Sequence, residues 1–248
     1  MDQLLVALDV EDGTRALALA DLLGDVVGGF KIGNRLFTAE GPSVVRALVE
    51  RRRRVFLDLK YHDIPNTVAT AVAEATMLGV WMVNVHASGG ARMMREAADA
   101  AKETAVRRNS APPLVIGVTV LTSLNAETLA ETGVLSPVPD QVVKLARLAQ
   151  RSGLDGVVAS PQETAMIRRE CGGAFTIVTP GIRGGASAAT RDDQERTLAP
   201  AEAIRAGASY LVVGRPIIGA ADPRAAAERI AQEIKGEGRS PFSLFTSR

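Results

Sequence analysis

The chain has 248 residues, 46% of them hydrophobic, and a formal net charge of +1. This length suits one large domain or two small ones, and the near-neutral charge argues against nucleic acid or an anionic membrane as a partner. The single cysteine, Cys171, excludes an intrachain disulfide framework and predicts a cytoplasmic location. The first ten residues, MDQLLVALDV, predict a strand and not a signal peptide, and no apolar run approaches a membrane span.

Short apolar runs alternate with amphipathic segments along the chain. The apolar runs predict strands at residues 4–8, 29–32, 55–60, 81–85, 114–120, 154–159, 175–179 and 210–213. The amphipathic segments predict helices at residues 12–23, 42–50, 67–78, 91–102, 140–151, 162–169, 200–206 and 222–235, with Asn66 as the cap of the third. A glycine-rich connection at residues 180–194 is longer than an ordinary turn and is expected to be a lid or a disordered loop.

Eight strand–helix units in about 250 residues favour a closed (β/α)8 TIM barrel. We expect one barrel domain over residues 1–235 and a loose tail over residues 236–248. The alternative is an open doubly wound sheet, which more often carries GxGxxG after its first strand. That turn reads DVEDGT here, so the barrel is favoured.

The most informative segment is FLDLKYHDIPNT, at residues 56–67. Alternate residues of a strand share a face, so Asp58 and Lys60 are predicted to point the same way. Two charges at the end of a buried strand are costly unless paired, and a capping ion pair is one explanation. Asp63, in the turn that follows, supplies a second carboxylate, which is more than a simple ion pair needs.

Polar residues also follow other predicted strands. Each has an ordinary explanation: a helix cap for Asp9, a snorkelling surface lysine for Lys31, a turn hydroxyl for Thr122 and a solvated charge for Arg183. Together, however, they lie at the carboxyl ends of the strands, where barrel active sites are built.

The loops after the seventh and eighth strands are the usual phosphate site of this fold. Gly214 can let the backbone approach a phosphate, and Arg215 can donate paired hydrogen bonds to it. Arg183 and Gln194 in the long loop could fold over the same anion. The sequence therefore predicts a phosphorylated small molecule as the ligand.

Seven motifs are similar to those of the bacterial orotidine 5′-phosphate decarboxylase family. They are ALD (7–9), FKIG (30–33), DLKxHDIPNT (58–67), VNVHASGG (83–90), VTVLTS (118–123), TPGIR (179–183) and VGRPI (213–217). The resemblance runs from about residue 4 to residue 230. The Asp-x-Lys-x-x-Asp core alone occurs in other phosphosugar enzymes of the same superfamily, whereas the remaining pieces in this order are more specific.

The resemblance implies conversion of orotidine 5′-monophosphate to UMP and carbon dioxide, in the last step of de novo pyrimidine nucleotide synthesis, without a metal or an organic cofactor. It implies that Lys60 donates a proton to C6 of the pyrimidine and that Asp58 faces the departing carboxylate. Lys31 and Asp63 would complete the charge network, with Asp63 supplied across a homodimer interface.

The resemblance also implies how the rest of the substrate is held. Asp9 and Lys31 would bind the ribose hydroxyls, and Thr122 would contact the base. Thr67 would contribute to the site from the partner chain, and Ile64 is a further expected substrate-binding residue. The phosphate would be held by Arg183, Gln194, Gly214 and Arg215.

Two other functions remain open at this point. The same fold is used by magnesium-dependent enzymes, such as a keto-gulonate phosphate decarboxylase or a hexulose phosphate synthase. A non-catalytic barrel that binds a phosphorylated ligand is the other alternative. His86 near the predicted barrel mouth is expected to be a core or supporting residue.

Overall fold

Eight parallel strands close into a barrel in the computed structural model, which describes residues 2–181 and 198–236. The strands are β1 Leu4–Ala7, β2 Gly29–Gly33, β3 Val55–Tyr61, β4 Met82–His86, β5 Leu114–Val118, β6 Gly156–Val158, β7 Thr176–Thr179 and β8 Tyr210–Val213. Each pairs with its neighbour in the chain, and β1 also pairs with β8. The predicted TIM barrel is confirmed.

Helices lie between the strands and cover the outside of the barrel. They are α1 Gly13–Leu23, α2 Asn34–Glu40, α3 Pro42–Glu50, α4 Pro65–Met77, α5 Gly90–Arg108, α6 Ala126–Ala130, α7 Val138–Arg151, α8 Thr164–Cys171, α9 Pro200–Arg205, α10 Arg215–Ile218 and α11 Pro223–Ile234. A 3₁₀ turn, Ala87–Gly89, precedes α5. Within the described ranges, none of the helices has the length and hydrophobicity of a transmembrane span.

Three short helices, α2, α6 and α10, were not predicted, because four to seven residues carry little periodicity. The prediction that Asn66 caps α4 is wrong. Pro65 occupies the first helical turn, where its missing N–H costs nothing, and the Ile64 carbonyl accepts the first hydrogen bonds. The prediction that α5 ends at residue 102 is also wrong. This helix continues to Arg108 because Thr104 and Ala105 are buried.

Side chains of each strand alternate between the barrel interior and the layer beneath the helices. The interior cluster is apolar and comprises Leu5, Ala7, Phe56, Met82, Ile116, Val178 and Val212. Trp81 and Tyr210 pack against it at the amino-terminal ends of β4 and β8, with ring centroids 5.1 Å apart. The amino-terminal part of the barrel interior is therefore filled mainly by apolar side chains.

Arg168 on α8 joins the segments that precede β7 and β8. Its guanidinium donates to the backbone carbonyls of Gly172, Gly173, Phe175 and Gly207, at 2.6–3.2 Å. A planar group with five N–H donors can serve all four carbonyls, whereas a lysine ammonium has only three donors.

We expect Arg168→Met to lower the free energy of unfolding by about 2–3 kcal/mol, since several carbonyls lose a charged donor. Urea denaturation would measure this. The control is Arg169→Met on the same helix, because the Arg169 side chain is 71% exposed and its replacement should change the midpoint little. Equal effects of the two changes would contradict the assigned role of Arg168.

Candidate active site

The strand register explains why the Lys31 side chain lies at the mouth of the barrel. Ala7 of β1 and Phe56 of β3 are the direct neighbours of Lys31 on β2. Asp9 and Asp58 follow those neighbours by two residues, on the same inward face and closer to the mouth. The long side chain of Lys31 extends toward both carboxylates and is 8% exposed as a residue.

The Asp58 carboxylate lies between two ammonium groups. Its Oδ2 is 3.2 Å from Lys31 Nζ, and its Oδ1 is 2.7 Å from Lys60 Nζ. Lys31 Nζ is also 3.3 Å from Asp9 Oδ1. The four side chains form a continuous line of alternating charge, Asp9–Lys31–Asp58–Lys60, in which each buried charge has an opposite neighbour.

Burial and neighbouring charges have opposite effects on the pKa values of Lys31 and Asp58. Burial disfavours the ammonium of Lys31, but Asp58 and Asp9 outweigh it and raise the pKa of Lys31 above its ordinary value. Burial likewise disfavours the carboxylate of Asp58. The charges of Lys31 and Lys60, with hydrogen bonds from Lys60 and Asn84, lower the pKa of Asp58 nevertheless. Both groups are therefore charged at neutral pH.

Gly33 provides space for this arrangement. A Cβ at this position would lie 2.8 Å from Lys31 Nζ and 3.2 Å from Asp9 Oδ1. Any residue larger than glycine would occupy the space used by the ion pair between Lys31 and Asp9. The FKIG segment therefore contains both the lysine and, two residues later, the glycine that leaves room for its side chain.

The line of charge borders a cavity of about 310 Å³ at the carboxyl-terminal mouth, within the range of small-molecule sites. Apolar side chains such as Phe56, Val178 and Val212 form its floor. Its polar lining combines the four charged side chains with residues of the loops that follow β5 and β8, namely Asp9, Lys31, Asp58, Lys60, Thr122, Gly214 and Arg215. Seven of the predicted site residues therefore surround one cavity.

Two alternative explanations for the polar residues at the strand ends, a helix cap for Asp9 and a surface lysine for Lys31, can be rejected. Asp12, not Asp9, caps α1 by accepting a hydrogen bond from the Arg15 amide at 2.8 Å. Lys31 is buried and paired and is not a snorkelling surface lysine. Thr122 and Arg215 lie at the cavity edge, and Gly214 immediately precedes α10.

Asp63, Ile64 and Thr67 do not line the cavity of their own chain. All three are exposed, and Ile64 is 67% exposed. Asp63 Oδ1 accepts a hydrogen bond from the Ile64 amide, and within the described ranges Asp63 forms no ion pair. Arg183 and Gln194, the predicted phosphate contacts of the long loop, lie outside the described residues, as does most of the predicted tail.

One buried polar contact of the site was missed by sequence reasoning. The Asn84 side chain on β4 donates to Asp58 Oδ1 at 2.7 Å and accepts from the Lys60 amide at 2.8 Å. The available signal was an amide inside the apolar run MVNV, at an inward-facing position. A buried polar side chain in such a run needs partners, and the nearest candidates are on the neighbouring strand.

His86 ends β4 beside the site without lining the cavity, in keeping with a supporting residue. Its ring centroid is 5.3 Å from that of His62. Burial, together with the nearby His62 and Lys60, lowers the pKa of His86, which favours its neutral form at pH 7. Across the described ranges, no group of three or more His, Cys, Asp or Glu side chains is arranged to hold a metal ion.

The charge line makes a prediction about pH. Because the folded-state pKa of Asp58 is lowered, its carboxylate contributes stability above its unfolded pKa of about 3.9, and loses it as pH falls through the folded-state value. Lys31, whose pKa is raised, contributes stability below its unfolded pKa of about 10.4, and loses it as pH rises through the folded-state value.

We therefore expect Asp58→Asn to lower the free energy of unfolding by about 3 kcal/mol, because it leaves the buried Lys31 and the half-buried Lys60 with one carboxylate between them. The difference from wild type should stay constant from about pH 5 to pH 9 and shrink below about pH 4. Urea denaturation over a pH series measures it. A difference that disappears between pH 5 and pH 8 would show that Asp58 takes up its proton there.

Comparisons with known proteins identify the family of the chain. Residues 2–230 match the family model described as "Orotidine 5'-phosphate decarboxylase / HUMPS family". A protein of Syntrophotalea carbinolica named orotidine 5'-phosphate decarboxylase is 53% identical over 232 residues, covering 94% of each chain. One of the same name from Moorella thermoacetica is 53% identical over 235 residues, covering 94% of this chain and 92% of its own length.

A solved structure gives the same result. The crystal structure of orotidine 5'-phosphate decarboxylase from Lactobacillus acidophilus superposes with a TM-score of 0.83 at 36% sequence identity, covering 94% of this chain and 99% of that one. The fold, the match over residues 2–230 and these identities lead to one conclusion. The chain belongs to the orotidine 5'-phosphate decarboxylase / HUMPS family.

Proposed function

We propose that this chain converts orotidine 5′-monophosphate to UMP and carbon dioxide, in the last step of de novo pyrimidine nucleotide synthesis, without a metal or an organic cofactor. The observation that carries the proposal is the Lys60 ammonium, held 2.7 Å from Asp58 Oδ1 at the edge of the cavity. Membership of the family and relatives with this activity in their names support the substrate.

The reaction breaks the bond between C6 of the pyrimidine and its carboxyl carbon. The electron pair stays on C6, in the plane of the ring, where the π-system stabilises it poorly. A fixed ammonium beside C6 stabilises this charge, most effectively in a site of low dielectric. Lys60 then transfers a proton from Nζ to C6, which completes UMP, and regains a proton from solvent.

The neighbouring charges prepare Lys60 for this role. Asp58 fixes the position of the ammonium before the substrate arrives, so little reorganisation accompanies the reaction. Lys31 in turn holds the second oxygen of Asp58 at 3.2 Å. Asp58 would face the departing carboxylate, and carbon dioxide would leave among the apolar side chains of the cavity.

The remainder of the substrate would be bound by residues around the mouth. Asp9 and Lys31 are proposed to bind the ribose hydroxyls, and Thr122 the base. We propose Arg183, Gln194, Gly214 and Arg215 as the phosphate site. Binding energy gained there, far from C6, can be used to position the reacting atoms. The cytoplasmic location remains a prediction from the single cysteine.

We propose a homodimer in which each chain completes the other's site with Asp63, Ile64 and Thr67. These residues are exposed, and they begin only three positions after Lys60. Burial of the Ile64 side chain, which is 67% exposed, against a second copy would remove apolar surface from water. Asp63 of the partner would then extend the line of alternating charge beyond Lys60.

We expect Lys60→Ala to reduce turnover by at least about 10⁴-fold, because it removes both the stabilising charge and the proton donor. UMP binding should stay within about threefold of wild type, since the phosphate and ribose contacts remain. The measurement is the absorbance change when orotidine monophosphate is added, with and without EDTA. Lys102→Ala, an exposed change on α5, is the control.

Turnover retained by Lys60→Ala would remove the mechanism. Wild-type activity lost in EDTA would favour a magnesium-dependent enzyme of this fold. UMP binding by the wild type without any absorbance change would favour a non-catalytic binding barrel.

The shared site predicts complementation. Lys60→Ala and Asp63→Ala should each be inactive, whereas co-expression of the two should restore about a quarter of the wild-type sites. Half of the dimers are then mixed, and each has one site with an intact Lys60 and a partner with an intact Asp63. Activity assays of the purified mixture measure this.

The matched control is co-expression of Lys60→Ala with Asp58→Ala. These two positions lie in the same barrel, so every site lacks one of them and activity should not return. Equal recovery in both mixtures, or an active Asp63→Ala protein, would contradict the shared site.

A further inference from the structure

Asn84 is a buried polar residue inside the barrel wall. Met82 of the same strand belongs to the interior cluster, so Asn84, two residues later, faces inward with it. Asn84 has 0% exposure, and both ends of its amide are used. Nδ2 donates to Asp58 Oδ1 at 2.7 Å, and Oδ1 accepts from the Lys60 backbone N–H at 2.8 Å.

These contacts lie where the ladder between β3 and β4 is interrupted. Leu57 pairs with Val83, and the next pair is Tyr61 with Val85. Residues 58–60 of β3 are therefore opposite the single residue Asn84 of β4, so the regular ladder cannot supply a partner for every amide of this bulge. The Asn84 side chain takes the place of a backbone acceptor for Lys60.

Lys60 itself has an uncommon backbone conformation. Its φ is +53°, in the left-handed region that non-glycine residues seldom adopt. Such a conformation persists where surrounding contacts hold it, and it is often found at functional sites. Here the held backbone directs a lysine toward Asp58 and the cavity.

We propose that Asn84 is a positioning residue, which sets the direction of the Lys60 ammonium by holding the Lys60 backbone and the Asp58 carboxylate together. This inference rests on the proposed function of Lys60. An amide is suited to the position because it both donates and accepts. An aspartate could accept from Lys60 but would repel Asp58, and a leucine of similar size could do neither.

The test compares Asn84→Leu and Asn84→Asp with the wild-type chain, using orotidine monophosphate as substrate. Asn84→Leu should lower kcat by about 10²-fold and leave KM within about threefold, because residues that orient a reacting group affect the chemical step more than ground-state binding. Asn84→Asp should lower kcat at least as much. If Asn84→Leu fails to fold, Asn84→Ala replaces it with the same expectation.

Two controls separate positioning from stability. Thr76→Val removes another buried hydrogen bond, from Thr76 Oγ1 to the Val72 carbonyl at 2.8 Å, away from the cavity, and should leave kcat unchanged. In an Asp58→Ala background, Asn84→Leu should lower the residual kcat by less than it does in the wild-type chain, because the contact with Asp58 is already absent and only the hydrogen bond from the Lys60 amide is lost.

Wild-type kcat in Asn84→Leu, or a wild-type kcat restored by Asn84→Asp, would overturn the inference. So would full additivity with Asp58→Ala, since the inference requires Asn84 to hold Asp58 and the Lys60 backbone together. A wild-type chain that does not decarboxylate the substrate would instead overturn the proposed function, so the two failures can be told apart.

Discussion

The site depends on one carboxylate that is shared by two ammonium groups. Asp58 is buried, and an unpaired charge in that position would cost several kcal/mol. Lys31 contacts Oδ2 of this carboxylate, whereas Lys60 and Asn84 both contact Oδ1. Replacing any one of these four side chains would leave a charged group or the Asn84 amide without one of its partners. The same contacts that stabilise the mouth of the barrel therefore fix the positions of its charged groups.

A regular barrel alone would not produce this geometry. The parallel register places Lys31 below Asp9 and Asp58, which explains one half of the network. The other half requires the bulge in β3, where Lys60 takes a positive φ beside Asn84. The regular barrel and the bulge in β3 thus have different roles. The barrel positions the carboxylates of Asp9 and Asp58, and the bulge directs Lys60 toward the cavity.

Much of this arrangement could be predicted from the sequence. Strand alternation and the regular succession of elements indicated the barrel and brought Asp9, Lys31, Asp58 and Lys60 to one end, because both follow from local periodicity. The bulge could not be foreseen, since alternation assumes a regular strand. The amide of Asn84 in an apolar run was a visible signal, but its partners could not be foreseen, because they depend on a register shift between strands. Whether Asp63 serves a second chain cannot be read from periodicity within one chain.

The most direct test of the central claim is an experimental structure of the chain with a UMP analogue substituted at C6. The account predicts Lys60 Nζ within about 3.5 Å of C6, with Asp58 still bound to both lysines. The phosphate should lie at the opposite side of the mouth, beside Gly214 and Arg215. A pyrimidine that binds with C6 turned away from Lys60, or a Lys60 side chain released from Asp58, would contradict it.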